Sequence, residues 1–233
     1  MKQRISDNLV QLRGQIADAC EEYDRDADDI TIVAIAKTQP ASAIQKVVAA
    51  GIHNVGESRI QEAEPKINEV GRIARFHMVG HLQTNKVKKA LELFDVIQSV
   101  DSLKLAEEIN RRAGELDREV ECYLEVNTSG EEQKYGFAPE ETVSMIKQIS
   151  EFSNIELTGL MTIGPLTDDE QQIRAAFRRC CELFREGREL LGNEFDTLSM
   201  GMSGDFHLAI AEGSTMIRPG TSIFGPRRPR EKG

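Results

Sequence analysis

The sequence predicts an α/β fold, a single (β/α)8 TIM barrel with an extra N-terminal helix, on three observations. Short apolar runs alternate with helix-periodic segments through eight strand-helix units in 233 residues. Each connection is long enough for a right-handed crossover between parallel strands. No linker or composition shift divides the chain, so one domain is expected over 1–225, with 226–233 a flexible basic tail. An open doubly wound sheet is the competing arrangement.

Ile5, Leu9, Leu12 and Ile16 recur at steps of four, three and four, one face of an amphipathic helix that precedes the alternation. Ile30 to Ala36 is nearly continuous and β-branched, as a strand buried on both faces reads. A helix over Ala41–Ala50 and a strand over His53–Val55 follow. Then come a helix over Ile60–Val70, a strand over Phe76–Val79, a helix over Thr84–Leu93 and a strand over Val96–Ser99. Leu105, Ile109 and Ala113 give one face to a helix over Ser102–Leu116, followed by a strand over Val120–Val126. Pro139 suits the first turn of a helix running to Ser150. Ile155–Leu160 is the sixth strand, and Thr167 to Glu170 reads as a capping box before a helix with Ile173, Phe177, Cys180 and Phe184 in register. The last strands are placed at Thr197–Met200 and Thr215–Arg218, with Phe206–Ala211 helical between them.

Composition narrows the function. With 39 acidic against 29 basic residues and a net charge of -10, general affinity for nucleic acid is not expected. No apolar run approaches the about 20 residues that span a bilayer, and the N-terminus lacks the apolar stretch of a secretory signal, so no membrane association and a cytoplasmic location are expected. The four cysteines show neither metal-ligand nor disulfide spacing. His77 and His81 stand four apart, but His77 falls in a strand, where that spacing does not put two ligands on one face; no metal site is expected.

In a barrel of this kind the site forms at the C-terminal ends of the strands. Lys37 follows the first strand; Asn54 and Glu57 belong to the second, His77 to the third, Met200 to Gly204 to the seventh, and Arg218 to Thr221 to the eighth. An amine at a low-dielectric mouth has its ammonium form disfavoured, which suits a Schiff-base lysine, although a lysine that snorkels to solvent reads the same way. The segments Gly201-Met-Ser-Gly-Asp205 and Arg218-Pro-Gly-Thr-Ser222 have the small residues and hydroxyls of a phosphate cradle, with ordinary turns as the alternative. A lysine amine opposite a phosphate cradle points to a phosphorylated aldehyde, with pyridoxal 5'-phosphate as the obvious candidate.

Several strings carry a family resemblance: Ala34-Ile-Ala-Lys-Thr38, Val55-Gly-Glu-Ser-Arg-Ile-Gln-Glu62, the run from Phe76 to Lys86, Ser99-Val-Asp-Ser102, Val126-Asn127 with Lys134-Tyr-Gly136, the run from Leu198 to Asp205, and the run from Ile217 to Gly225. In this order the chain resembles the pyridoxal phosphate homeostasis proteins, which themselves resemble the N-terminal barrel of alanine racemase. The resemblance implies a Schiff base on Lys37, phosphate contacts from Ser203, Gly204, Gly220 and Thr221, and Arg218 facing the pyridine nitrogen. Asn54, His77 and Met200 complete the expected cofactor-binding set. The family usually has Gly-Glu-Asn where this chain has Gly56-Glu57-Ser58, and serine offers only part of the hydrogen bonding of an amide.

The resemblance implies a non-catalytic carrier, buffer or regulator in vitamin B6 homeostasis, with apo-enzymes that receive the cofactor as partners; a monomer is expected because the sequence shows no obvious unpaired apolar surface segment. A racemase-like enzyme is the main rival. It needs a second base, which in alanine racemases is a tyrosine from another subunit's β-domain; no such domain is expected here, and Tyr135 is the one tyrosine placed near the mouth. Arg218 beside the ring nitrogen would also disfavour pyridinium formation and weaken the electron sink. A sugar-phosphate enzyme using Lys37 with Glu57 is the third reading.

Overall fold

The computed structural model describes residues 2–131 and 133–226. Eight parallel strands close into a barrel in sequential order. They are β1 (Thr31–Ile35), β2 (Asn54–Glu57), β3 (Arg75–Met78), β4 (Val96–Val100), β5 (Val120–Glu125), β6 (Ile155–Met161), β7 (Thr197–Ser199) and β8 (Met216–Ile217). Closure is made by β1 against β8, with Thr31 opposite Met216 and Ile32 opposite Ile217. The outer layer comprises α2 (Ala41–Ala49), α3 (Ile60–Val70), α4 (Val87–Leu93), α5 (Leu103–Glu115), α6 (Pro139–Ile149), α7 (Glu170–Leu191), α8 (Phe206–Ala211) and α9 (Thr221–Phe224), with α1 (Lys2–Glu22) preceding them.

Strand alternation builds two kinds of core. Val33, Ile35, Val96, Tyr123, Met161 and Met216 pack inside the barrel, whereas the opposite faces of the strands meet the helices in a larger apolar layer. The expected stripe of α1 packs outside the barrel: Ile5, Leu9, Leu12 and Ile16 are buried with Ile217, Phe206, Ile210 and Ile223. At about 2 kcal/mol for each fully buried aliphatic side chain, this stripe is a substantial attachment. Asn8 Nδ2 also donates to the Ile223 carbonyl at 2.8 Å, tying α1 to the segment after β8.

Several boundaries differ from the expected ones for identifiable reasons. The second strand runs through Gly56 and Glu57 instead of ending at Val55, because Gly56 permits a close approach: a Cβ there would lie 2.5 Å from Ile35 Cδ1. The helix expected over Thr84–Leu93 starts as a 3-10 turn at Thr84–Lys86 before α4. The cap of α7 is Asp169 and not Thr167; Asp169 Oδ1 accepts from Gln171 N at 2.9 Å and Gln172 N at 3.3 Å. The tail expected over 226–233 lies, apart from Pro226, outside the described residues.

Candidate functional site

Lys37 follows β1 in a turn and is half-buried. The next residue, Thr38, has φ +64°, an uncommon value for a β-branched residue, and its N–H donates to Glu62 Oε2 at 3.3 Å. Lys66 Nζ, projecting from α3, donates to the Ala36 carbonyl at 2.9 Å and to Glu57 Oε1 at 2.5 Å. A buried ion pair therefore holds the peptide just before Lys37. Glu57 is fully buried, which raises its carboxyl pKa against the pull of Lys66.

The segment after β8 lies against this strand end. Ile35 N donates to the Pro219 carbonyl at 2.9 Å, and a Cβ on Gly220 would lie 3.5 Å from the Ile35 carbonyl oxygen. The N–H groups of Gly220 and Ser222 converge on Ser203 Oγ, at 3.0 and 3.1 Å. Two backbone donors thus already hold one oxygen, the arrangement of an oxyanion nest. A Cβ on Gly204 would meet no atom within 4 Å, so space remains open beside that nest. Gly201 differs: its φ is +94° and a Cβ would come within 2.6 Å of Ala209 Cβ, so its glycine serves the chain itself. A groove of about 700 Å³ lined by Leu12, Gln15, Ser203, Gly204, Thr221 and Ser222 opens here.

Arg218, buried to 4% exposure, extends β8 by one residue into the barrel. Its Nη1 donates to Ser199 Oγ at 2.6 Å and its Nη2 to the Thr162 carbonyl at 2.7 Å. Burial pulls its pKa down to about 10, against the opposing fields of Glu125, Asp205 and Cys180, and it stays cationic at neutral pH. Glu125, at the end of β5, is raised to about 7 by burial first and then by Asp101, with Arg218 opposing. His77 is lowered to about 3 by burial and secondarily by Arg75, so its imidazole is neutral.

The structure brings Lys37, Ser203, Gly204, Arg218, Gly220 and Thr221 to the C-terminal rim. Asn54 is not among them. It opens β2 at the other end of the strand, where its Oδ1 meets His77 Nε2 at 3.1 Å. His77 lines the interior of the barrel wall instead of reaching the rim. The Met200 side chain is buried in the layer facing the helices, and its backbone is bonded to the β8 segment, its N–H donating to the Met216 carbonyl at 3.0 Å and its carbonyl accepting from Ser214 Oγ at 2.9 Å. Sequence reasoning passed over Gln98, Ser199 and Glu125, polar residues set in apolar strand runs, which is the one signal that marked them. It also passed over the rim contact between the segments after β3 and β5, where His81 stacks on Tyr135 with centroids 3.8 Å apart and pairs with Asp101 at 2.7 Å.

Residues 13–228 match the family model "Alanine racemase, N-terminal domain". A pyridoxal phosphate homeostasis protein of Haemophilus influenzae is 37% identical over 227 residues, covering 96% of both chains. Its counterpart in Escherichia coli K12 is 35% identical, covering 96% of this chain and 97% of the relative. Among solved structures, Synechococcus elongatus PipY with PLP bound is 36% identical with a TM-score of 0.82, covering 95% of this chain and all of that one. An alanine racemase of Clostridium difficile, at 17% identity and a TM-score of 0.73, shares the fold over 98% of this chain and 57% of its own.

Proposed function

Because the chain belongs to the pyridoxal phosphate homeostasis proteins, built on the alanine racemase N-terminal barrel, we propose that it holds pyridoxal 5'-phosphate reversibly through a Schiff base on Lys37. It serves as a carrier, buffer or regulator in vitamin B6 homeostasis, acting as a cytoplasmic monomer that passes cofactor to apo-enzymes. The observation that carries this reading is the nest at Ser203, with its two converging N–H groups and the open space at Gly204, adjoining the strand end that bears Lys37. The residues fit the group: a phosphate oxygen can take the donors that now serve Ser203 Oγ, and a side chain at position 204 would fill the space. Ser203, Gly204, Gly220 and Thr221 hold the phosphate, and Arg218 lies toward the ring nitrogen.

Bound pyridoxal phosphate supplies an aldehyde that condenses with amines and a ring that can accept electrons. The chain's own residues favour holding over turnover. Arg218 is a permanent donor; beside the ring nitrogen it disfavours that atom's protonation. Two of the tyrosines have their hydroxyls engaged elsewhere. The Tyr23 hydroxyl accepts from Arg174 Nη2 at 2.6 Å, Tyr123 donates to Glu121 at 2.8 Å inside the barrel, and Tyr135 is stacked on His81. Tyr23 and Tyr123 are thereby unsuited to act as a base opposite Lys37, and Tyr135, whose ring is exposed, is the tyrosine that the exchange experiment below tests.

The test is α-hydrogen exchange of alanine and serine in deuterated water, run beside transfer of cofactor to an apo-enzyme. The expected result is transfer with exchange far slower than enzymatic turnover of roughly 1 to 1000 per second. Turnover in that range with racemised product would establish the racemase reading instead.

A further inference from the structure

Four strands and the residue that follows β8 contribute to one buried hydrogen-bonded chain inside the barrel. Arg218 Nη1 meets Ser199 Oγ at 2.6 Å, Ser199 Oγ meets Gln98 Oε1 at 2.8 Å, Gln98 Nε2 meets His77 Nδ1 at 2.9 Å, and His77 Nε2 meets Asn54 Oδ1 at 3.1 Å. Gln98 and Ser199 are fully buried, and His77 is 1% exposed.

The direction of the chain follows from its cationic end. Guanidinium has donors and no acceptor, so Ser199 accepts from Arg218 and gives its own hydrogen to Gln98 Oε1. That choice turns the Gln98 amide nitrogen toward His77, whose Nδ1 must then accept. The imidazole proton is left on Nε2, donated to Asn54. Flipping the Gln98 amide would leave the Ser199 hydrogen without its acceptor inside the barrel, a costly arrangement. Each member thus fixes the next, and burial that keeps His77 neutral preserves its acceptor. The second fixed point of Arg218 is the Thr162 carbonyl at 2.7 Å.

We propose that His77, Gln98 and Ser199 are positioning residues for Arg218: the directed chain locks the guanidinium as a donor at the base of the mouth and so keeps the heterocyclic nitrogen facing it unprotonated. The second half of this statement rests on the function proposed above; the first does not. Without Ser199 the guanidinium keeps the Thr162 carbonyl but loses its hydroxyl partner, and without Gln98 that hydroxyl loses the acceptor that orients it; in either case the guanidinium turns more freely and protects the ring nitrogen less.

The experiment uses the full chain, first without cofactor. Nitrogen-15 NMR should show a neutral His77 with its proton on Nε2 and slowly exchanging Arg218 Nη hydrogens. Ser199→Ala and Gln98→Met should each speed that exchange at least tenfold, while Ser199→Thr, which keeps the hydroxyl, restores it. With ring-labelled pyridoxal phosphate bound, Ser199→Ala should raise the ring nitrogen's proton affinity at least tenfold, and Ser199→Thr should not. Unchanged Arg218 exchange in folded Ser199→Ala and Gln98→Met would overturn the proposal. So would a wild-type His77 protonated on Nδ1, a result that decides the matter even where a variant does not fold. An unchanged ring nitrogen in loaded Ser199→Ala would overturn the second half. Loss of Arg218 protection in a protein that takes up no cofactor would instead overturn the proposed function and leave the chain intact.

Discussion

Glu125 and His77 carry opposite shifts in one barrel, and each has a definite sign in stability. Glu125 is raised from 4.5 to about 7, so the native state keeps its proton where the unfolded chain has lost it. Its contribution is fully present below pH 4.5 and is lost as pH rises to about 7, a loss on the order of 3 kcal/mol. His77 is lowered from 6.5 to about 3, so its contribution is present above pH 6.5 and is lost as pH falls toward 3. The two slopes oppose each other between pH 4.5 and 6.5. In denaturant titrations, Glu125→Gln should therefore gain on wild type by about 3 kcal/mol between pH 4.5 and 7. A pH-independent difference would show that Glu125 titrates normally. Neither shift was legible in the sequence, because each depends on what the strands bury around the group.

At the scale of elements, the join between β1 and α3 rests on Lys66 and Glu57, with Glu57 Oε2 buried and left without a hydrogen-bond partner. Lys66→Met should cost about 3 to 5 kcal/mol by leaving that carboxylate uncompensated. The double variant Lys66→Met/Glu57→Leu should recover most of it in chemical denaturation; equal losses in both would mean that the pair matters only through packing. Two glycines make a further contrast. A Cβ on Gly159 would come within 2.0 Å of the Thr197 carbonyl oxygen, where β6 meets β7, whereas one on Gly204 meets nothing. Gly159→Ala should lower the melting temperature markedly; Gly204→Ala should leave it unchanged and weaken binding of pyridoxal phosphate at least tenfold. Equal melting losses in the two variants would contradict this assignment. The apolar runs and helical periods made these elements readable in the sequence. Their ends were less readable, because Gly56 reads as a break and yet serves close packing, and because an aspartate two places on outcompetes Thr167 as a cap.

For the whole molecule, eight strand-helix units were legible because a closed parallel barrel needs a continuous apolar face on each strand and a crossover after it. The rim residues were legible for the same reason, since the topology fixes which end of each strand faces the site. The polar interior was not. Gln98, Ser199 and Arg218 come together from β4, β7 and the end of β8 only when the sheet closes. What stands or falls with the proposed function is a Schiff base between pyridoxal phosphate and Lys37. Its most direct measurement is borohydride reduction of the protein loaded with pyridoxal phosphate, followed by peptide mapping. The expected outcome is a yellow protein whose visible band is lost on reduction, with a phosphopyridoxyl group on Lys37 alone and no labelling of Lys37→Ala. A label on another lysine, or a visible band that survives in Lys37→Ala, would contradict it.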